Sequence, residues 1–316
     1  MTVTAGVSTE KTTGAPQASS PEPKPSAKKK ILLSALAVYI IGLIVIIVAV
    51  PTGEKNTEFN IVEPFHLDTW FEIAGPIEFN KGVLYLLMST VITLVLLTYV
   101  AGRMKARPNK TQAAVEAFYD LTRNMTKENM DEKMARKWFP LIATLFVFIL
   151  VMNLIGYIPL PVNSSDPFSN GFPSFQLYAA DTNAAVPLVL ATIVFVAYNV
   201  EGLRAHGFLG YVKSLVPSGI GKGMLVMIYP LEVLSHFLRL ISLTVRLWAN
   251  LLAGHLLIDF MAGNLAVLLG LPALGWITLP LGIAIFMFEC VLIAGLQAFI
   301  FSILTAIYLG SAVQHH

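Results

Sequence analysis

A single cysteine, Cys290, in 316 residues excludes an intrachain disulfide framework and a four-cysteine metal site. Charge is nearly as scarce: Asp, Glu, Lys and Arg supply 13% of the chain, against 56% hydrophobic residues, which sets an ordinary soluble domain aside. The net charge of +2 suggests no nucleic-acid partner. There is no phosphate-cradling glycine loop, no HExxH, and no nucleophile–base arrangement outside the apolar runs. Covalent catalysis by the chain alone is therefore not expected, nor is a cofactor or a bound metal.

What the chain has instead is long apolar runs, at 31–50, 83–102, 139–161, 183–203, 224–262 and 276–312. Each reaches the roughly 20 residues needed to cross a hydrocarbon core of about 30 Å. Residues 1–30, rich in Ser, Thr, Pro, Ala and Lys, are read as a disordered cytoplasmic tail. The run 31–50 is a transmembrane helix or signal anchor, with a long-leadered signal peptide as the alternative. Residues 51–82 form an outward loop, 83–312 the membrane domain and 313–316 a C-terminal tail.

Positive charge sets the orientation. Of the 21 Lys and Arg, five precede residue 31, nine lie in 103–138 and three in 204–222. These segments are expected in the cytoplasm. The loops 51–82 and 162–182 hold only Lys55 and Lys81 among many acids and are expected outside, so both termini face the cytoplasm.

The last two runs would make helices of about 58 and 55 Å at 1.5 Å per residue, nearly twice the hydrocarbon thickness. Each must be broken or steeply inclined. The short link containing Gly270 and Pro272 favours a hairpin. The expected fold is an all-α polytopic membrane protein of about five to six membrane helices, the last two forming a long, strongly tilted hairpin.

Polar residues inside these runs are the candidates for function. Glu232, Arg239 and Arg246 recur every seven residues, so each is displaced by only about 20° and they form one stripe, with His236 and Asn250 on or near it; Ser242 stands one turn before Arg246. Glu232 can pair with His236 or Arg239 near the cytoplasmic end, where long side chains reach the headgroups. Arg246 lies mid-segment with no acid three or four positions away, at a cost of roughly 3 kcal/mol on insertion scales. It either serves a function or bridges to another helix, at Glu289 or Asp181.

His255, nine residues on, is rotated by about 180° and faces elsewhere. Glu289 and Gln297 share a broad side of the last helix. If the hairpin brings His255 and Glu289 together, the pair can relay protons or hold the helices as a neutral hydrogen-bonded pair. Asp181 and Asn183 open the fourth run, where Asp181 either lines a path or caps the helix.

The run Arg246-Leu247-Trp248-Ala249-Asn250-Leu251-Leu252-Ala253-Gly254-His255-Leu256 resembles the signature of subunit a of the F-type ATP synthase. Support comes from Gln297-Ala298-Phe299-Ile300-Phe301, from Leu304 to Tyr308, from Phe148 to Pro159 with Asn153, and from Asp181-Thr182-Asn183. The resemblance covers about residues 65–312. The resemblance implies a stator in a bacterial plasma membrane that passes protons through two half-channels to a rotating ring of c subunits. Its partners would be the c-ring, the peripheral-stalk b subunits and other synthase subunits.

By the same resemblance Arg246 separates the half-channels and meets the ring carboxylate. Asn250, His255 and Gln297 belong to the outward half-channel and Glu232 to the inward one. Asp181, Asn183, Arg239, His236 and Ser242 are carried as further pathway positions. One departure concerns the titratable residue that many relatives place seven before the glutamine. Here that position is Cys290, and Glu289 would serve after a local helix adjustment. The alternative function is a self-contained ion transporter or antiporter, which would use broken half-helices and paired repeats.

Overall fold

A computed structural model describes residues 27–49, 65–67, 69–74, 77–102, 109–160, 177–214 and 222–313. Most of the expected tail and of the loops 51–82 and 162–182 lies outside these. The chain divides into two units, Met1–Pro51 and Thr52–His316. The described residues of the first form the helix α1 (Ala27–Ala49), which begins four residues before the expected boundary because Ala27 and Lys28–Lys30 are good helix formers.

The second unit opens with a small hairpin of β1 (Phe71–Ala74) and β2 (Ile77–Phe79), antiparallel with Phe71 opposite Phe79. It continues through α2 (Lys81–Gly102), α3 (Lys110–Asn129), α4 (Glu132–Gly156), α5 (Ala185–Ser214) and α6 (Lys222–Asp259). The chain then closes with α7 (Leu265–Leu269), α8 (Pro272–Phe288) and α9 (Ala294–Ser311). A 3₁₀ turn, Ala180–Thr182, precedes α5. Two π-turns, Phe260–Asn264 and Glu289–Ile293, interrupt the last part of the chain.

Five helical stretches among the described residues are long and apolar enough to cross a membrane: Lys81–Gly102, Glu132–Gly156, Ala185–Val212, Val226–Ala262 and Leu274–Ser311. The chain is an all-α polytopic membrane protein. Half of the α4 span is buried, against 17% of the α2 span, so α4 is the central strut and α2 is peripheral. Lipid tails give apolar helices no reason to leave them, so close packing must come from small side chains. The buried residues Ala294, Ala298, Ser302, Ala306 and Gly310 recur every four positions along α9. That stripe lets α9 lie against α4, where Ile142, Phe146, Ile149 and Met152 are buried.

The helix α6 runs unbroken for 38 residues, about 57 Å, and packs against α8 beyond the turn at Gly270. A straight helix of that length fits a bilayer only if inclined. The hairpin α3–α4 was not legible as a helix pair. Read as a loop over 103–138, that segment contains α3 and the start of α4. The polar helix α3 buries Thr122, Met125 and Thr126 on one face and exposes Phe118, Tyr119 and Leu121, a surface-helix pattern that a search for 20-residue apolar runs passes over.

Candidate functional site

The C-terminal half of α6 turns one face inward. His255 is fully buried there, and its ring stacks on Tyr157 at the end of α4, with centroids 5.0 Å apart. The Tyr157 hydroxyl donates to Glu289 Oε2 at 3.3 Å. Tyr157 thus links the histidine of α6 to the carboxylate that begins the π-turn between α8 and α9. The carboxylate lies directly over Gly254: a Cβ at that position would stand 2.5 Å from Glu289 Oε2. A glycine next to His255 is what permits the approach.

A π-turn, Glu289–Ile293, lies between Glu289 and Gln297. Eight residues of regular helix would leave Glu289 about 80° from Gln297. Taking up one residue in a wide turn leaves the advance of seven, so the two side chains align to within about 20°. Both are buried, Glu289 at 9% exposure and Gln297 at 3%, whereas Cys290 is half-buried. Wide turns of this kind occur frequently at functional sites.

Asp181 extends the cluster. It is fully buried in the 3₁₀ turn and does not cap α5. That role belongs to Asn183, whose Oδ1 accepts from the Ala185 amide at 3.0 Å. With the Asn153 amide turned so that Nδ2 faces the acid, it donates to Asp181 Oδ2 at 2.9 Å and to the Ile149 carbonyl at 3.1 Å. Burial pushes the Asp181 carboxyl up to about 8, far above the ordinary carboxylate range. Burial, and next the Glu289 charge, also hold the Tyr157 hydroxyl in its protonated form. Trp248 Nε1 donates to the Thr182 carbonyl at 2.9 Å, tying α6 to the turn that carries Asp181.

Asp181 Oδ1 and both ring nitrogens of His255 are buried without a hydrogen-bond partner among the described residues. Buried polar atoms in that condition are costly, and their presence calls for a functional account.

Three members of this cluster were not singled out from the sequence. Tyr157 carried no signal. Asp259, four residues after His255, shares its face of α6, and that spacing was a usable signal. Lys81, read as a loop residue, is fully buried at the start of α2, 5.1 Å from the centroid of the Tyr178 ring. It lies within electrostatic reach of both Asp259 and His255.

The opposite face of α6 differs. Arg246 is half-buried, with Ser242 and Asn250, one turn to either side, exposed. Arg246 makes no ion pair among the described residues: Glu289 is engaged by Tyr157 and Asp181 by Asn153. Toward the N-terminal half, Arg239 lies 5.4 Å from the ring centroid of Tyr308. The Tyr198 hydroxyl is 3.2 Å from His236 Nδ1. Glu232 is half-buried and forms no ion pair with His236 or Arg239 among the described residues. Near this end Lys137 and Glu201 join α4 to α5 at 2.6 Å. No group of three or more His, Cys, Asp or Glu suited to a metal ion is gathered among the described residues.

The fold and these groups define a class: a polytopic membrane protein whose ionisable side chains are sequestered between inclined helices. Residues 83–310 match the family of the ATP synthase A chain, and the chain belongs to that family. It is 34% identical to ATP synthase subunit a of Rubrobacter xylanophilus over 247 residues, 77% of this chain and 87% of that protein. It is also 34% identical to the subunit a of Rhodopseudomonas palustris strain HaA2, over 81% of this chain and 96% of that one. With subunit a of Acidiphilium cryptum it shares 33% identity over 83% and 99% of the two chains.

Proposed function

We propose that this chain is the stator of the membrane sector of an F-type ATP synthase in a bacterial plasma membrane, with both termini in the cytoplasm. It supplies two proton half-channels to a rotating ring of c subunits and is held by the peripheral-stalk b subunits and other parts of the complex. The observation that carries the reading is the two-faced character of α6. Arg246 stands on an outward-turned face between exposed Ser242 and Asn250, while His255 on the same helix is sealed inside with Glu289 and Tyr157.

In this reading a proton reaches the ring from the outer side through Asp181, Asn183, His255, Glu289 and Gln297, with Asn250 at the ring surface. Asp259 and Lys81 stand at the outer mouth. The ring carboxylate gives up its proton on the other side, beside Ser242, Arg239, His236 and Glu232. Arg246 attracts each arriving carboxylate in its ionised form, and its fixed positive charge repels a proton that would otherwise leak straight from one half to the other. Its missing counter-ion is then supplied by each ring subunit in turn. The continuity of α6 over 38 residues favours the stator over the self-contained transporter, which would place its site between unwound half-helices related by paired repeats.

A cross-link tests the reading. In a Cys290→Ser background, Asn250→Cys is expected to form a disulfide with a cysteine placed beside the ring carboxylate in the assembled complex. Failure to form it when assembly is intact would favour the transporter.

A further inference from the structure

Away from this site, a cavity of about 280 Å³ opens in the cleft where α3 and α4 diverge from their turn at Met130–Asp131. Tyr119, Arg123 and Lys127 line it from one face of α3, at four-residue spacing, and Glu132, Arg136 and Phe139 line it from α4. The rings of Tyr119 and Phe139 meet edge to face, with centroids 4.9 Å apart, across the two helices. Three cations thus converge against one carboxylate. All three are exposed, and none makes an ion pair among the described residues.

The setting narrows the ligand. The polar helix α3 also exposes Phe118 and Leu121, and the Phe118 ring lies 5.8 Å from that of Phe146, a buried side chain of α4. The basic cleft therefore sits at the start of the membrane span of α4, against a helix that also exposes apolar side chains. Guanidinium groups on two helices can hold a phosphate through paired hydrogen bonds, and basic pockets beside membrane helices suit anionic headgroups.

We propose that this cavity binds the phosphodiester headgroup of an anionic phospholipid. Arg123 and Arg136 clasp the phosphate from either side, Lys127 adds charge, and the acyl chains enter the bilayer past the exposed Phe118. The site is independent of the proton path. It would fasten α3 to the membrane surface and fix the angle at which α4 leaves it. Free phosphate shares the anionic chemistry but has no use for the adjoining apolar surface.

The test uses the intact complex purified in mild detergent with added phosphatidylglycerol, with tightly retained lipid counted by native mass spectrometry. The pair Arg123→Gln/Arg136→Gln is expected to weaken retention by about tenfold or more, at roughly 1 kcal/mol for each basic residue. Lys110→Gln, on the same helix outside the cavity, leaves it unchanged, and millimolar inorganic phosphate does not displace the lipid. Equal retention by the glutamine pair overturns the proposal. So does displacement by phosphate, which marks a free-phosphate site, or loss of a neighbouring subunit with lipid retention intact, which marks a protein contact. Photoreactive phosphatidylglycerol on the wild-type complex gives a second reading that needs no variant. Labelling within residues 110–139 supports the site, and labelling only elsewhere overturns it.

Discussion

Asp181 and Tyr157 bracket the chemistry that single residues can supply in this protein. Native Asp181 keeps its proton to about pH 8, whereas its ordinary value is 3.8. Between those limits the native state binds more protons than the unfolded one, so its stability falls as pH rises across the window. Asp181→Asn, which imitates the protonated form and can still meet Asn153, is expected to remove that component. Thermal denaturation of the detergent-purified complex should lose part of its decline between about pH 5 and 8, and an unchanged profile would count against a protonated Asp181. His255 and Glu289, joined through Tyr157, should behave as one unit in passive proton flow. His255→Ala and Glu289→Ala each slow it, and the double change is no worse than the slower single. Additive losses would separate them into different routes.

The sequence made His255, Glu289 and Gln297 legible as polar residues in apolar runs, because a charge or amide in hydrocarbon declares itself by its cost. It could not make Tyr157 legible, since a tyrosine at a membrane helix end is ordinary and its meaning lies in contacts with residues about 100 and 130 positions away. Lys81 was hidden for a related reason. At a helix start next to a loop it reads as a solvated charge, and only the packing of the 177–182 segment shows that it is buried.

Among the elements, the π-turn at Glu289–Ile293 carries the argument. In the proposed path the carboxylate stands one position out of the register expected from the resemblance, and the wide turn Glu289–Ile293 takes up one residue between it and the glutamine. The compensation has a testable sign. Exchanging the two residues, as Glu289→Cys with Cys290→Glu, moves the carboxylate one position along the wide turn and away from Tyr157 and Gly254. Proton flow is expected to drop at least as far as in Glu289→Ala, despite the unchanged composition. Full activity in the exchanged protein would show that the register is unimportant. The five long spans were legible from hydropathy and length alone. The hairpin β1–β2 and the surface helix α3 were not, because neither is apolar enough to stand out; the strands are too short to show a pattern, and α3 is fixed by its packing on α4 and α9.

At the scale of the whole molecule, the proposed function requires a partner. Two helical stretches of 37 and 38 residues form the hairpin, with Leu238, Ile241 and Val245 exposed beside Arg246 on α6 and Phe288, Val291 and Leu292 exposed near Glu289. Lipid satisfies the apolar side chains but not the arginine, whose insertion costs roughly 3 kcal/mol or more without a counter-charge. A partner bearing a carboxylate at mid-membrane resolves that cost only while it is present, which is what a passing ring subunit would provide.

The most direct measurement is proton-driven ATP synthesis in sealed vesicles carrying the complex with Arg246→Ala, alongside the passive proton permeability of the same vesicles. Synthesis should be abolished and permeability raised, with the subunits still assembled. Synthesis retained at a substantial fraction of the wild-type rate would contradict the account.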